Sequence, residues 1–297
     1  MRIASWSWGG RPHVGLISPD GREATPLAVK TPERGAFELV RSLAHGDPLP
    51  PAAGARLPVE AITLRAPLRP RRNVFCIGRN YRSHAEELST SVFRDAVAQS
   101  RERDLWPIVF TKVPETVVGP YDVVRLPGKA ITEQIDYESE LAVVIGKGGI
   151  NIPRSRAMEH VFGYTVCNDV SARDVQTRHQ QWHLGKSFDT FCPLGPWIVT
   201  ADECDGTNTR LRGWVTPAGG VPELRQDAMT KDMIFDIPAQ IEAISRGITL
   251  YPGDIIATGT SAGVGMGFNP PKWLKHGDVV RIEVDGIGAI ENRFEER

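Results

Sequence analysis

Short apolar runs broken by turn residues mark most of the chain as strands. Residues 2–7 and 13–17 are strand-like, with Gly9, Gly10 and Pro12 turning the chain between them. Residues 37–44 predict one short helix. The stretch HGDPLPPAAG and the later APLRPRR, at 66–72, hold no long element. The second predicts a boundary between a small N-terminal domain, residues 1–70, and a catalytic domain, residues 71–297. Downstream, strands are predicted over 74–77, 108–111, 123–126, 137–145, 193–200, 210–216, 254–258, 279–284 and 287–294. Helices are predicted over 155–160, 171–181 and, most clearly amphipathic, 237–245. The charge-rich stretch 91–104 reads as a solvated helix or a loop. Strands that do not alternate regularly with helices predict an α+β, strand-rich fold, a mixed β-sheet rolled on itself rather than a doubly wound sheet.

Composition narrows the function classes. Hydrophobic residues make up 41 % and charged residues 24 %, too apolar for disorder. Gly and Pro are frequent enough to disfavour a helical bundle. A net charge of −1 gives no general attraction to nucleic acid or anionic membrane. No apolar run is long enough to span a membrane, and the N-terminus lacks the pattern of a secretory signal. Cys76, Cys167, Cys192 and Cys204 form no CxxC pair and read as reduced thiols of a cytoplasmic protein.

Candidate chemistry begins at DYESELAVVIGK, residues 136–147. Strand alternation puts Glu138 and Glu140 on one face, roughly 7 Å apart. They are either two solvated glutamates on an edge strand or ligands of a hard divalent cation. In GYTVCNDVSARDVQ, Asp169 follows an apolar strand and precedes a helix that Ser171 could cap. It is either a third ligand or a simple capping group. In RNYRSHAEEL, His84 and Glu87 are neighbours on a helix, either a surface pair or a general base with its orienting carboxylate. Lys186, among Phe188 and Phe191, is either snorkelling to solvent or held to meet an anion. The glycines of ATGTSAGVGMG would let backbone N–H groups approach an anionic ligand, a weak signal alone.

Together these strings resemble the fumarylacetoacetate hydrolase family. FCIGRNYRSHAEEL, DYESELAVVIGK, FGYTVCNDVSARDVQ, GKSFDTFCPLGPWIVT, GDIIATGTSAGVG and PPKWLKHGDVVRIEVDGIGAIENR stand in family order across residues 74–293. The resemblance implies the family's β-roll, a homodimer and a Mg²⁺ or Mn²⁺ ion on Glu138, Glu140 and Asp169. It implies a water-activating dyad of His84 and Glu87 on a short helix that closes over the site. The polar segment 80–88 and part of 91–104, with little apolar surface to anchor them, read as a lid that is mobile without ligand. The resemblance also implies substrate contacts from Lys186, Gln176 and Thr260, with Arg79, Tyr81, Lys112 and Arg173 as further candidates. The activity it implies is Mg²⁺-dependent hydrolysis of a C–C bond in acylpyruvate-type 2,4-dioxo acids. The alternative is a decarboxylase, isomerase or hydratase of 2-oxo dioic acids such as oxaloacetate. Either takes a small 2-oxo acid, with no nucleic-acid or membrane partner.

Overall fold

The computed structural model describes residues 1–84, 87, 106–178 and 181–297. The N-terminal segment supplies β1 (Arg2–Trp8), β2 (Arg11–Ile17), β3 (Glu23–Pro26), helix α1 (Phe37–Ala44), β4 (Leu57–Pro58) and β5 (Thr63–Arg65). Then come β6 (Val74–Gly78), β7 (Ile108–Lys112), β8 (Val117–Val118), β9 (Val124–Leu126), β10 (Ile135–Asp136), β11 (Ser139–Ile145), β12 (Val161–Asn168) and β13 (Ser171–Ala172). Two short helices, α2 (Arg173–Arg178) and α3 (His183–Lys186), precede β14 (Cys192–Thr200), β15 (Arg210–Thr216) and β16 (Glu223–Met229). Helix α4 (Ile237–Ser245), β17 (Ile255–Ala257), β18 (Val279–Val284) and β19 (Gly288–Glu296) complete the chain.

A large mixed sheet runs β4-β3-β2-β1-β14-β12-β11-β17-β6-β7, with β5 on β1 and β8 on β14. A second sheet runs β16-β15-β18-β19-β9, and β10 pairs with β13. The strand-rich mixed fold is as predicted. The N-terminal strands continue the large sheet through the β1–β14 pairing.

Strand β11 shows how the layers form. It is apolar without a break from Leu141 to Ile145 and buried throughout, the signature of a strand covered on both faces. Leu141, Val143 and Ile145 enter one core with Leu211, Val280, Ile282 and Phe294 of the second sheet. Ala142 and Val144 enter another with Leu39 and Val40 of α1. A carboxylate at the end of such a strand is delivered into the interior.

Several elements differ from expectation. The strand predicted over 137–145 begins at Ser139, because polar tertiary bonds take over the two preceding residues. Tyr137 Oη donates to the Gly263 carbonyl at 2.6 Å, and the Glu138 N–H donates to Asn168 Oδ1 at 3.1 Å. Ser171 is no helix cap: it pairs with Asp136 in a short ladder, its Oγ donates to the Asp169 carbonyl, and helix begins only at Arg173. Residues 154–160 form a 3₁₀-helix. Strand β16 was not predicted; its polar sequence lies at the edge of its sheet. The stretch 91–104 lies outside the described residues, as do 85, 86 and 88 of the expected lid.

Candidate metal centre and active site

The β11–β12 register builds the centre. Antiparallel pairing sets Ser139 opposite Asn168 and Glu140 opposite Cys167. The Asp169 N–H then donates to the Glu138 carbonyl at 3.0 Å, bringing the residue after one strand beside the residue before the other. Glu138, Glu140 and Asp169 each offer a ligand atom, all within 4.8 Å of one another. All three are buried, so they are neither solvated edge glutamates nor a capping group. The oxygen-only donor set fits a hard divalent ion such as Mg²⁺ or Mn²⁺.

Buried cations surround the triad. Lys186 Nζ lies 2.8 Å from Glu138 Oε2 and 2.8 Å from Asp169 Oδ2. Lys112 Nζ lies 2.7 Å from Asp169 Oδ1. Arg173 Nη1 lies 2.7 Å from Glu138 Oε1, and its Nε lies 2.8 Å from Asp136 Oδ2. Lys186 is 1 % exposed, which settles it as a lysine meeting anions. Its aromatic neighbour is Phe110 of β7, whose ring centre is 5.0 Å from Nζ, whereas Phe188 and Phe191 pack against each other.

The carboxylates respond unequally. Burial pushes Glu138 up, but Lys186 and Arg173 more than offset it and hold the group well below the usual range. For Glu140, burial and the neighbouring Asp169 and Glu138 all push its carboxyl well above that range. Its hydrogen-bond donor is the Gly259 N–H, 2.9 Å from Oε2. Burial favours the neutral amine of Lys186, but Asp169 and Glu138 outweigh it and keep the ammonium.

His84 is 4 % exposed, so it is no surface histidine. Its Nδ1 lies 3.2 Å from Glu87 Oε2. Glu87 Oε1 accepts the Gly263 N–H at 2.9 Å, and a Cβ on Gly267 would lie 2.0 Å from that oxygen. The glycine loop therefore serves the protein's own carboxylates. Gly259 N–H goes to Glu140, Gly263 N–H to Glu87, and Gly265 N–H to Asp136 at 2.6 Å. Gly259 also has φ +100° and approaches Asn80 so closely that a Cβ would meet its side chain at 2.6 Å. Both features require glycine.

Other expected residues fall around this centre. Gln176 Oε1 accepts from Arg173 Nη1 at 3.0 Å. The Thr260 hydroxyl donates to the Ser139 carbonyl at 3.0 Å and accepts from Gln226 Nε2 at 2.7 Å, so it is engaged on both sides. Arg79 has φ 54° and its guanidinium lies 5.7 Å from the centre of the Trp182 ring. Tyr81 is 1 % exposed and its hydroxyl has no hydrogen-bond partner among the described residues. Burial, then Glu140 and Asp232, raise its pKa and keep it a donor.

Asp136, Gln226 and Asn80 were missed from sequence. Asp136 accepts N–H groups of Tyr137, Gly265 and Met266 as well as Arg173, so it joins the loop to the cationic side. Gln226 accepts the Ser139 N–H at 2.9 Å. Asn80 ties the start of the His84 helix to the Phe235 and Thr258 carbonyls at 3.0 and 2.7 Å. Asp136 lies in the same string as the glutamates, a signal that could have found it.

Comparison with known proteins agrees with this geometry. The fumarylacetoacetate (FAA) hydrolase C-terminal family matches residues 73–295. Oxaloacetate tautomerase YisK of Bacillus subtilis is 40 % identical, covering 99 % of this chain and 100 % of that protein. The solved fumarylacetoacetate hydrolase of Exiguobacterium antarcticum superposes with a TM-score of 0.83 at 37 % identity, covering 100 % of each chain. The 2-hydroxyhepta-2,4-diene-1,7-dioate isomerase of Mycobacterium marinum gives 0.77 at 32 % identity, covering 100 % of this chain and 99 % of that one. No helix among the described residues is long and apolar enough to cross a membrane. This chain belongs to the fumarylacetoacetate hydrolase family of enzymes.

Proposed function

We propose that the protein is a Mg²⁺- or Mn²⁺-dependent tautomerase of 2-oxo dioic acids of the oxaloacetate class. The observation that carries this is the buried dyad beside the oxygen-ligand triad: a base poised for a carbon acid next to a site for a chelating 2-oxo acid. YisK, similar over nearly its whole length, is named for oxaloacetate tautomerisation. The relatives thus favour the isomerase alternative over acylpyruvate hydrolysis. The ion, held by Glu138, Glu140 and Asp169, would supply Lewis-acid polarisation of the 2-oxo group. His84 has Nδ1 committed to Glu87, leaving Nε2 to accept a proton from C3. As that C–H bond breaks, its electron pair forms the C2–C3 double bond, and the carbonyl electrons move to oxygen. The Lys186 ammonium faces that developing charge, and the proton is returned to the C2 oxygen to give the enol.

One second reading retains support. The same dyad could activate a water for C–C hydrolysis, and a structural neighbour bears the name fumarylacetoacetate hydrolase. The test follows enol-oxaloacetate absorbance and, separately, pyruvate release from acylpyruvates, each with and without Mg²⁺. Metal-dependent loss of the enol without cleavage is expected. Faster pyruvate release than tautomerisation would sink the proposal in favour of the hydrolase.

A further inference from the structure

A cavity of about 270 Å³ opens at the seam between the N-terminal strands and the rest of the chain, and no residue lining it belongs to the catalytic centre. Its N-terminal wall is one face of the β1–β5 ladder. The antiparallel register sets Ser5 opposite Arg65 and Ser7 opposite Thr63, so these four side chains share a face. Trp6 and Leu64, between them, enter an apolar core with Ala4 and Ile17. Ser5 Oγ donates to the Pro67 carbonyl at 2.7 Å, which leaves its oxygen as an acceptor. The Arg69 N–H donates to the Arg34 carbonyl at 3.3 Å and so seats Arg69 beside the 3₁₀ turn that carries Glu33. The rest of the chain supplies Asp122, whose Oδ2 accepts the Gly119 N–H at 2.6 Å.

Two guanidinium groups, of Arg65 and Arg69, and two carboxylates, of Glu33 and Asp122, thus line one cavity. None of the four has an ion-pair partner among the described residues. Elsewhere the chain pairs exposed arginines with carboxylates, Arg154 with Asp236 and Arg210 with Asp227. Here opposite charges meet at a space instead of at each other. An occupant carrying both signs would answer all four. A dianion such as a 2-oxo dioic acid would meet the carboxylates as well as the arginines, so the cavity is no second place for the proposed substrate.

We propose that this cavity binds a small zwitterion, an α-amino acid with an uncharged polar side chain. Its carboxylate would lie on Arg65 and Arg69, its ammonium on Glu33 and Asp122, each through charge-assisted hydrogen bonds. Its side chain would meet the hydroxyls of Ser5, Ser7 and Thr63. The volume sits just under the range of about 300–1,000 Å³ typical of drug-sized ligands, which suits an amino acid. The inference does not depend on which reaction the catalytic centre performs.

The test is isothermal titration calorimetry of the full-length protein with L-glutamine as the probe. Saturable binding with a Kd of about 1 mM or below is expected. Glutaramate, which lacks the ammonium, and 4-aminobutanamide, which lacks the carboxylate, should each bind at least about tenfold more weakly. Arg65 and Arg69 are exposed, so Arg65→Gln and Arg69→Gln leave the core intact; each should weaken L-glutamine by about tenfold. Asp122→Asn should narrow the gap between L-glutamine and glutaramate, a change that a merely structural role would not produce. No saturable binding of L-glutamine to the wild type overturns the proposal, a result that needs no variant. So does glutaramate binding as tightly as L-glutamine, or wild-type affinity in a folded protein carrying both Arg65→Gln and Arg69→Gln.

Discussion

Glu140→Gln should separate the triad's role as a cation site from any role in holding the fold. Among the described residues the Lys and Arg partners of Asp136, Glu138 and Asp169 are Lys112, Lys186 and Arg173, and Glu140 has no ion-pair partner among these three. At the 4.8 Å limit of the ligand-atom spacing, a pair of like charges at an effective dielectric of about 20 repels by about 3 kcal/mol. Removing the Glu140 charge relieves that repulsion while keeping its shape, so the metal-free variant should be at least as stable as wild type. The sign with pH is fixed by burial, Asp169 and Glu138, which together raise this carboxyl. A raised folded pKa means that the folded chain holds the proton longer than the unfolded one. Wild-type stability should therefore fall as pH climbs from the ordinary carboxyl range toward that raised value, with a slope no steeper than about 1.4 kcal/mol per pH unit. Glu140→Gln should lack this slope. Metal reverses the order. Wild type at a Mg²⁺ concentration about 100 times Kd gains about 2.7 kcal/mol, about 5 °C in Tm for a chain of this size. Losing one charged ligand of about 3 kcal/mol weakens affinity by about two orders of magnitude and abolishes that shift. Differential scanning calorimetry across pH, with and without Mg²⁺, checks both halves. An undiminished Mg²⁺ shift in the variant, or a metal-free variant well below wild type at alkaline pH, would refute the reasoning.

The remaining outcomes concern the dyad, its supports and assembly. His84→Ala should cost about 10²–10⁴ in kcat while Mn²⁺ affinity, read by paramagnetic resonance, stays at the wild-type value. Gly267→Ala should displace Glu87, because the added Cβ meets its carboxylate; a fall of at least about tenfold in kcat with little change in Tm is expected. Asn80→Ala removes three hydrogen bonds, to Phe235 twice and to Thr258 once, and should destabilise by about 2–4 kcal/mol in denaturant titration. The homodimer implied by the family resemblance should appear in light scattering as twice the 32.7 kDa chain mass; Leu224, 52 % exposed on edge strand β16, is where Leu224→Glu should weaken it.

What could be read from the chain depended on whether local pattern or distant contact decided the outcome. Residues 37–44, 210–216, 237–245 and 279–284 were placed at their observed bounds, because apolar positions there are bracketed by turn residues and nothing distant overrides them. Strand β16 escaped notice because an edge strand needs little apolar alternation; its buried polar residue, Gln226, is spent on Ser139, Thr260 and Ser261. The predicted helix 171–181 lost its first turn to a β-ladder with Ile135 and Asp136. That partner lies more than thirty residues away, beyond the reach of propensity.

The site shows the same division one level up. The carboxylates and histidine on which the proposed function rests stand openly in the strings around Glu138, Asp169 and His84, and the structure draws them together. Hidden in the sequence was which charge answers which. A glycine-rich loop suggests a cradle for an external anion, yet here its N–H groups hold Glu140, Glu87 and Asp136. Lys112, one of the weaker candidates, proves to be held simultaneously by Asp169 and by the backbone of Lys186. The cause is physical. A buried carboxylate needs donors wherever the fold can bring them, and for this cluster they come from β7, α2, α3 and the loop after β17. No stretch of sequence contains that pairing. It exists only once the β11–β12 register has closed and put Glu138 beside Asp169.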